Sequence, residues 1–206
     1  MDEQEKKLLA LQAKVQGYGK ENQTELVYVL AEGVRLITGQ DRIRIYLEDL
    51  IAGALTCAFA SGLNGAELHE VAFPIVSQDA LVSRVFFSQY PAEFSAATAV
   101  DCPLDMALAE RFGIAASWCM PLVSRGRSIG VICVDSTLQG LRLPGRVKSR
   151  LADFVLMVGE GLDEARSYHQ QVQLARRLEE SKKREAAGQM VRSAVRLVDQ
   201  IGRAHV

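Results

Sequence analysis

Residues 116–135, ASWCMPLVSRGRSIGVICVD, decide how this chain is read. Two apolar, β-rich runs, WCMPLV and SIGVICVD, flank the polar turn SRGR. Such runs joined by a short glycine-bearing loop predict an antiparallel hairpin. Both runs are almost continuously apolar, so both faces of these strands are expected to be covered, as in a central strand pair with helices packed on the sheet. Pro121 inside the first run predicts a bulge or bend. Gly130 in the second run marks a point where a backbone or a ligand comes close.

Upstream, a helix is predicted over residues 3–38. Leu8, Leu11, Val15 and Tyr18 recur at helical spacing, and Leu26, Val29, Leu30, Val34 and Ile37 form a second stripe. Gly17 and Gly19 predict a kink or split between them, and Gly39 supplies a C-cap. RIRIYLED then alternates as a strand, with Ile43, Ile45 and Leu47 on one face and Arg42, Arg44 and Tyr46 on the other. ALTCAFASG reads as a second strand and HEVAFPI as a short third one ending near Pro74. DALVSRVFFSQ is helical through Leu81, Val85 and Phe86, with Asp79 near its start. PAEFSAATAVD reads as an irregular loop of the kind that covers a ligand. PLDMALAERFG is a helix with Pro103 in its first turn, Asp101 near the cap and Gly113 at the stop.

After the hairpin comes the loop STLQGLRLPG, and a last helix is expected from Pro144 to about Gln200. Its early part repeats Leu151, Val155, Val158, Leu162 and Ala165. Its later part, EESKKREAAG, reads as a solvated face laced by Glu179–Lys183 and Glu180–Arg184 pairs.

The hairpin resembles the central strand pair of GAF domains, which carry a PL…G…IGVI…D pattern. Here that pattern is Pro121, Leu122, Gly126, Ile129, Gly130, Val131, Ile132 and Asp135. The surrounding order of elements is similar as well, over residues 24–165. The resemblance implies an α/β fold, a GAF/PAS-like central antiparallel sheet with helices packed on it and long N- and C-terminal helices. It divides the chain into a helical extension over residues 1–23, a sensor domain over 24–165 and a signalling helix over 166–206.

Composition narrows the function. The chain has 206 residues, 49% of them hydrophobic, with a formal net charge of −1, which argues against a broad nucleic-acid footprint. No stretch approaches the roughly 20 apolar residues that span a bilayer, and the charged start MDEQEKK does not read as a signal peptide. A cytoplasmic protein without membrane insertion is expected. Cys57, Cys102, Cys119 and Cys133 show no metal-ligand spacing. Cys57, Cys119 and Cys133 lie in apolar runs as small buried hydrophobes, while Cys102 stands at a helix start, where a thiol pKa falls. His69, His169 and His205 have no neighbouring carboxylate at an orienting spacing. Phosphate loops and HExxH are absent from the sequence, no catalytic residue and no metal site is assigned, and the cofactor is left open.

GAF relatives include free methionine sulfoxide reductases, bilin binders and cyclic-nucleotide binders, and this chain lacks the cysteine, Cys-His and Asn-Lys-…-Phe-Asp-Glu segments that mark them. The resemblance implies a small-molecule site between the sheet and the crossover, at Phe73, Phe87, Phe94, Asp101, Asp105, Trp118 and Met120. It also implies a homodimer, in which Leu8, Leu11, Val15, Leu162, Ala165 and Val172 meet a second subunit and pass a signal to a C-terminal output domain. Two alternatives stand beside this reading: a ligand-free dimerisation and linker module, and a thiol redox protein working through Cys102 or Cys119. Finally, MVRSAVRLVDQIGRAHV overlays VLAEGVRLITGQDRIRI without a gap, pairing Val34 with Val195, Leu36 with Leu197 and Arg42 with Arg203. This predicts the entrance to a second such unit, cut off in its first strand.

Overall fold

A computed structural model describes residues 3–17, 22–62, 65–97 and 102–204. The chain divides into two compact units, residues 1–165 and 166–206. The first unit holds one six-stranded antiparallel sheet in the order β3-β2-β1-β6-β5-β4. Its strands are β1 (Ile43–Asp49), β2 (Ala54–Ser61), β3 (Ala72–Pro74), β4 (Ala92–Ser95), β5 (Ala116–Ser124) and β6 (Arg127–Ser136).

The amino-terminal helical region is two helices, α1 (Glu3–Gly17) and α2 (Gln23–Thr38). Tyr18 and Gly19 lie outside the described residues. Gly39 ends α2 in the left-handed region at φ 69°, where its N–H donates to Arg35 O at 2.8 Å. The remaining helices are the single turn α3 (Gly65–Leu68), then α4 (Leu81–Ser88), α5 (Pro103–Phe112) and α6 (Gly145–Ala204). Pro103 opens α5 and Gly113 stops it at φ 62°, as expected from their chemistry.

The hairpin is made of β5 and β6, and its turn is Arg125–Gly126 with φ 50° and 78°. Two successive residues at positive φ give the turn whose twist matches an antiparallel pair, and glycine takes the second position without strain. The register slips between Leu122 and Val123, one residue beyond Pro121. The slip changes the side-chain parity of β6, so that Ile129 joins Ile132 and Val134 on one face. Gly130 admits a backbone: a Cβ there would run into the carbonyl oxygen of Tyr46.

Strand alternation separates two cores. On one face Ile43, Ile45, Leu47, Trp118, Met120 and Ile132 pack beneath α2 and the first turns of α6, through Leu26, Leu30, Phe154 and Val158. On the other, Tyr46, Cys57, Phe73, Cys119, Val131 and Cys133 pack beneath α4 and α5, through Val82, Val85, Phe86 and Phe112. Gly33 lets α2 press directly on the ring of Phe154.

The structure departs from the sequence reading at several points. Residues 92–95, expected to be an irregular lid, form the edge strand β4, with Ala92 opposite Cys119 and Phe94 opposite Ser117. Leu8, Leu162 and Ala165 are buried in the helix-side core, and Leu11 and Val15 pack against it. At these five positions α1 packs on α2 and reaches α6 at Gly161. Val172 is half-buried in the second unit. That unit is helical through Ala204, past the point where the overlay with residues 34–45 expects a helix end. The residue aligned with the capping Gly39 is Gln200, which carries the Cβ that disfavours the left-handed stop. His205 and Val206 lie outside the described residues.

Candidate functional site

Arg44 alternates with Ile43 and Ile45 on β1, so its side chain enters the crossover-side core, where it is 2% exposed. Asp135, at the end of β6 and 1% exposed, meets it in a two-pronged ion pair. Nε donates to Oδ2 at 2.6 Å and Nη2 to Oδ1 at 2.8 Å, the geometry that gives guanidinium–carboxylate pairs their strength. Arg44 Nη1 donates to Tyr46 Oη at 3.1 Å, and Ser117 Oγ donates to Asp135 Oδ1 at 2.6 Å. Burial works against the charge on Arg44. The attraction of Asp135, with Tyr46 and Cys133 behind it, outweighs burial and holds the guanidinium pKa well above its ordinary value. Burial likewise holds the Tyr46 hydroxyl above its usual range, so this ring stays protonated.

Thiols surround this pair. Arg44, Cys133 and Cys119 lie in one row across β1, β6 and β5, and Cys57 stands opposite Tyr46 on β2. Burial pushes the Cys57 thiol up to about 11 and the Cys119 thiol well above its ordinary value. Neither is a ready thiolate at neutral pH.

A second polar group lies where α4 and α5 begin. Asp105, buried on α5, accepts a hydrogen bond from Leu81 N–H at 2.6 Å, and Leu104 N–H donates to Asp79 O at 3.4 Å. The two helix starts therefore hold each other, and the carboxylate that serves α4 is Asp105, whereas Asp79 contributes its backbone. Burial raises the Asp105 pKa, against the pull of the Leu81 hydrogen bond and of Arg44 and Arg84. Arg84 donates to the sulfur of Cys102, which is the residue before α5. Among the described residues, no group of three His, Cys, Asp or Glu side chains is placed to hold a metal ion.

The structure brings Phe73, Phe94 and Asp105 to the crossover side of the sheet. Phe73 stacks edge-on to Tyr46 with centroids 5.3 Å apart. Trp118 and Met120 sit on the opposite face, because Ser117 and Cys119 take the crossover-facing positions of β5. Trp118 lies instead under the Lys148 ammonium, 5.5 Å from the ring centroid. Phe87 follows the buried Phe86 on α4, points outward and is 72% exposed. Asp101 lies outside the described residues. The sequence reading missed Arg44, Tyr46, Ser117 and Asp135 as a group. The signal was a charge on the inward face of each of two neighbouring strands that both had to be covered.

The GAF domain family model matches residues 22–159, and the chain belongs to that family. Solved structures of the same fold include the GAF domain of an Acinetobacter phosphoenolpyruvate-protein phosphotransferase, at 16% identity and TM-score 0.65, covering 81% of this chain and 97% of that one. Another is a methyl-accepting chemotaxis protein fragment, at 20% identity and TM-score 0.59, covering 75% of this chain and 96% of that one. A third is the phycoerythrobilin-bound GAF domain of a cyanobacterial phytochrome, at 17% identity and TM-score 0.61, covering 82% of this chain and 99% of that one. At these identities the likeness is one of fold. No curated protein matches the chain.

Proposed function

We propose that this domain is a non-catalytic sensor that takes a small molecule on the crossover side of the sheet. The buried Arg44–Asp135 cluster is its floor, with Tyr46, Ser117, Phe73, Phe94 and Asp105 around it. One observation carries the reading: a complete ion pair, braced by Tyr46 and Ser117, lies at the centre of a sheet face that is otherwise mainly apolar. A buried pair of this kind stabilises a fold no better than apolar residues of the same volume, so stability alone gives no reason for it. The phytochrome relative, described as carrying phycoerythrobilin, and the chemotaxis relative support ligand-driven signalling as the class.

The helical second unit is the route to an output domain and to a second subunit. Leu174, Leu178 and Met190 are exposed along it, an apolar series that a partner helix would cover. No described helix is long and apolar enough to cross a membrane.

Native mass spectrometry of freshly purified protein, compared with the denatured sample, tests both parts. The expected result is a dimer with extra mass that denaturation releases. Tyr46→Phe and Ser117→Ala, which retain the core volume, are expected to lose that mass and keep the native circular dichroism. A dimer without releasable mass would favour the ligand-free dimerisation module, and a monomer at every concentration would remove the dimer.

A further inference from the structure

Cys119 on β5 and Cys133 on β6 are directly opposed in the ladder, with their sulfurs 2.7 Å apart. Both are free thiols. Directly opposed residues in an antiparallel ladder have Cα atoms about 4.5 or about 5.5 Å apart, and both separations fall within the span a disulfide bridges. The other two cysteines are occupied elsewhere: Cys57 Sγ donates to Phe59 O at 3.3 Å, and Cys102 receives the Arg84 guanidinium.

We propose that Cys119 and Cys133 form a redox pair, which a peroxide converts into an intrachain disulfide across the hairpin. One sulfur attacks the peroxide, the O–O bond breaks, and a sulfenic acid and one water result. The second sulfur then attacks the first, the S–S bond forms, the S–O bond breaks, and a second water leaves. Two thiols lose two electrons and two protons to the peroxide in total. The disulfide forms two residues from Asp135 and beside Arg44, on the same wall as the polar cluster. It is a second input to that wall and does not depend on any ligand.

Burial sets the speed of this chemistry. The Cys119 thiol donates to the Cys133 sulfur, and burial keeps its proton on at neutral pH, while the nearby Arg44 charge favours the thiolate more weakly. Oxidation is therefore slow near neutrality and accelerates as the pH rises.

Full-length protein treated with hydrogen peroxide, then denatured in N-ethylmaleimide and weighed intact, tests the pair. The expected product has two of its four thiols blocked from alkylation. Tryptic cleavage at Arg125 and Arg127 separates the two cysteines, so a linked peptide identifies them. Cys57→Ser and Cys102→Ser are expected to keep the link, and Cys133→Ser to abolish it. Four alkylated thiols after exhaustive treatment, a link that involves Cys57 or Cys102, or sulfinic acid without a link would each overturn the proposal. The wild-type peptide map decides this even where a serine variant fails to fold.

Discussion

Arg127, the first residue after the hairpin turn, donates from Nη2 to Asp163 Oδ1 on α6 at 2.6 Å. The same guanidinium donates from Nη1 to Glu48 Oε2 at the end of β1, at 3.4 Å. One turn earlier on α6, a Cβ at Gly159 would lie 3.2 Å from the Val123 carbonyl oxygen, so helix and hairpin backbone are in contact there. Strand β6 therefore carries at one end the carboxylate that holds Arg44 and at the other the cation that holds α6. The candidate site and the helix that leads out of the domain are joined by a single strand.

Removing this tie has a modest expected effect. Arg127 is half-exposed while Asp163 is buried, so Arg127→Ala is expected to lose about 1 kcal/mol. Urea unfolding would report a lower midpoint at constant slope. Amide exchange is expected to quicken in α6 around Asp163. An unchanged midpoint with unchanged protection would show that the helix is held by packing alone.

The Arg44–Asp135 pair predicts an asymmetric result. Arg44→Met leaves a carboxylate buried without its cation and is expected to destabilise the domain by about 3–5 kcal/mol. The double variant Arg44→Met, Asp135→Leu removes both charges and is expected to recover most of that loss while abolishing ligand capture. Chemical unfolding of the single and double variants gives the coupling energy directly. Additive losses would mean that the two side chains do not act as a pair.

Elements were legible in the sequence where local chemistry decides them. Gly39 and Gly113 mark helix ends by their φ, and SRGR marks the turn, because these signals need no tertiary context. The sides of the sheet were harder to read. The alternation on β1 separates Ile45 from Tyr46 correctly, but the continuous apolar run of β5 conceals which of Trp118 and Cys119 faces the crossover. Trp118 and Met120 lie on the helix-side face of the sheet, and Phe73 and Phe94 on the other. The edge strand β4 escaped notice because AEFS has neither the length nor the β-branched residues of a strand and is ordered by pairing with β5. The role of Asp105 at α4 depends on two helix starts meeting in space, which no local spacing reports.

Gly33 offers a test of packing against propensity. Alanine favours helix over glycine by about 1 kcal/mol, so an exposed site would gain from the change. Here the added methyl would overlap the ring of Phe154, which is buried and enclosed. Overpacking of this kind costs about 1–3 kcal/mol, so Gly33→Ala is expected to lower the melting temperature. Combining it with Phe154→Leu is expected to cost less than the sum of the two single losses. A stabilised Gly33→Ala protein would show that α2 shifts freely on α6.

The alkaline limb of stability carries the signature of Cys57. Burial is the main cause of its rise from 9.0 to about 11, and the charge of Arg44 opposes it only in part. The folded state thus holds this proton more tightly than the unfolded chain does. Its contribution is complete below about pH 9 and is lost as the pH rises through about 11. The full loss is roughly 3 kcal/mol at most, at about 1.4 kcal/mol per unit. Cys57→Ser preserves the shape and removes the titration, so urea unfolding in reducing buffer is expected to give curves that run parallel below about pH 9. Above that, the wild-type protein is expected to lose stability faster than the variant. Parallel curves through the whole range would mean that Cys57 keeps the same affinity for its proton folded and unfolded, and that the crossover core is wetter than its packing indicates.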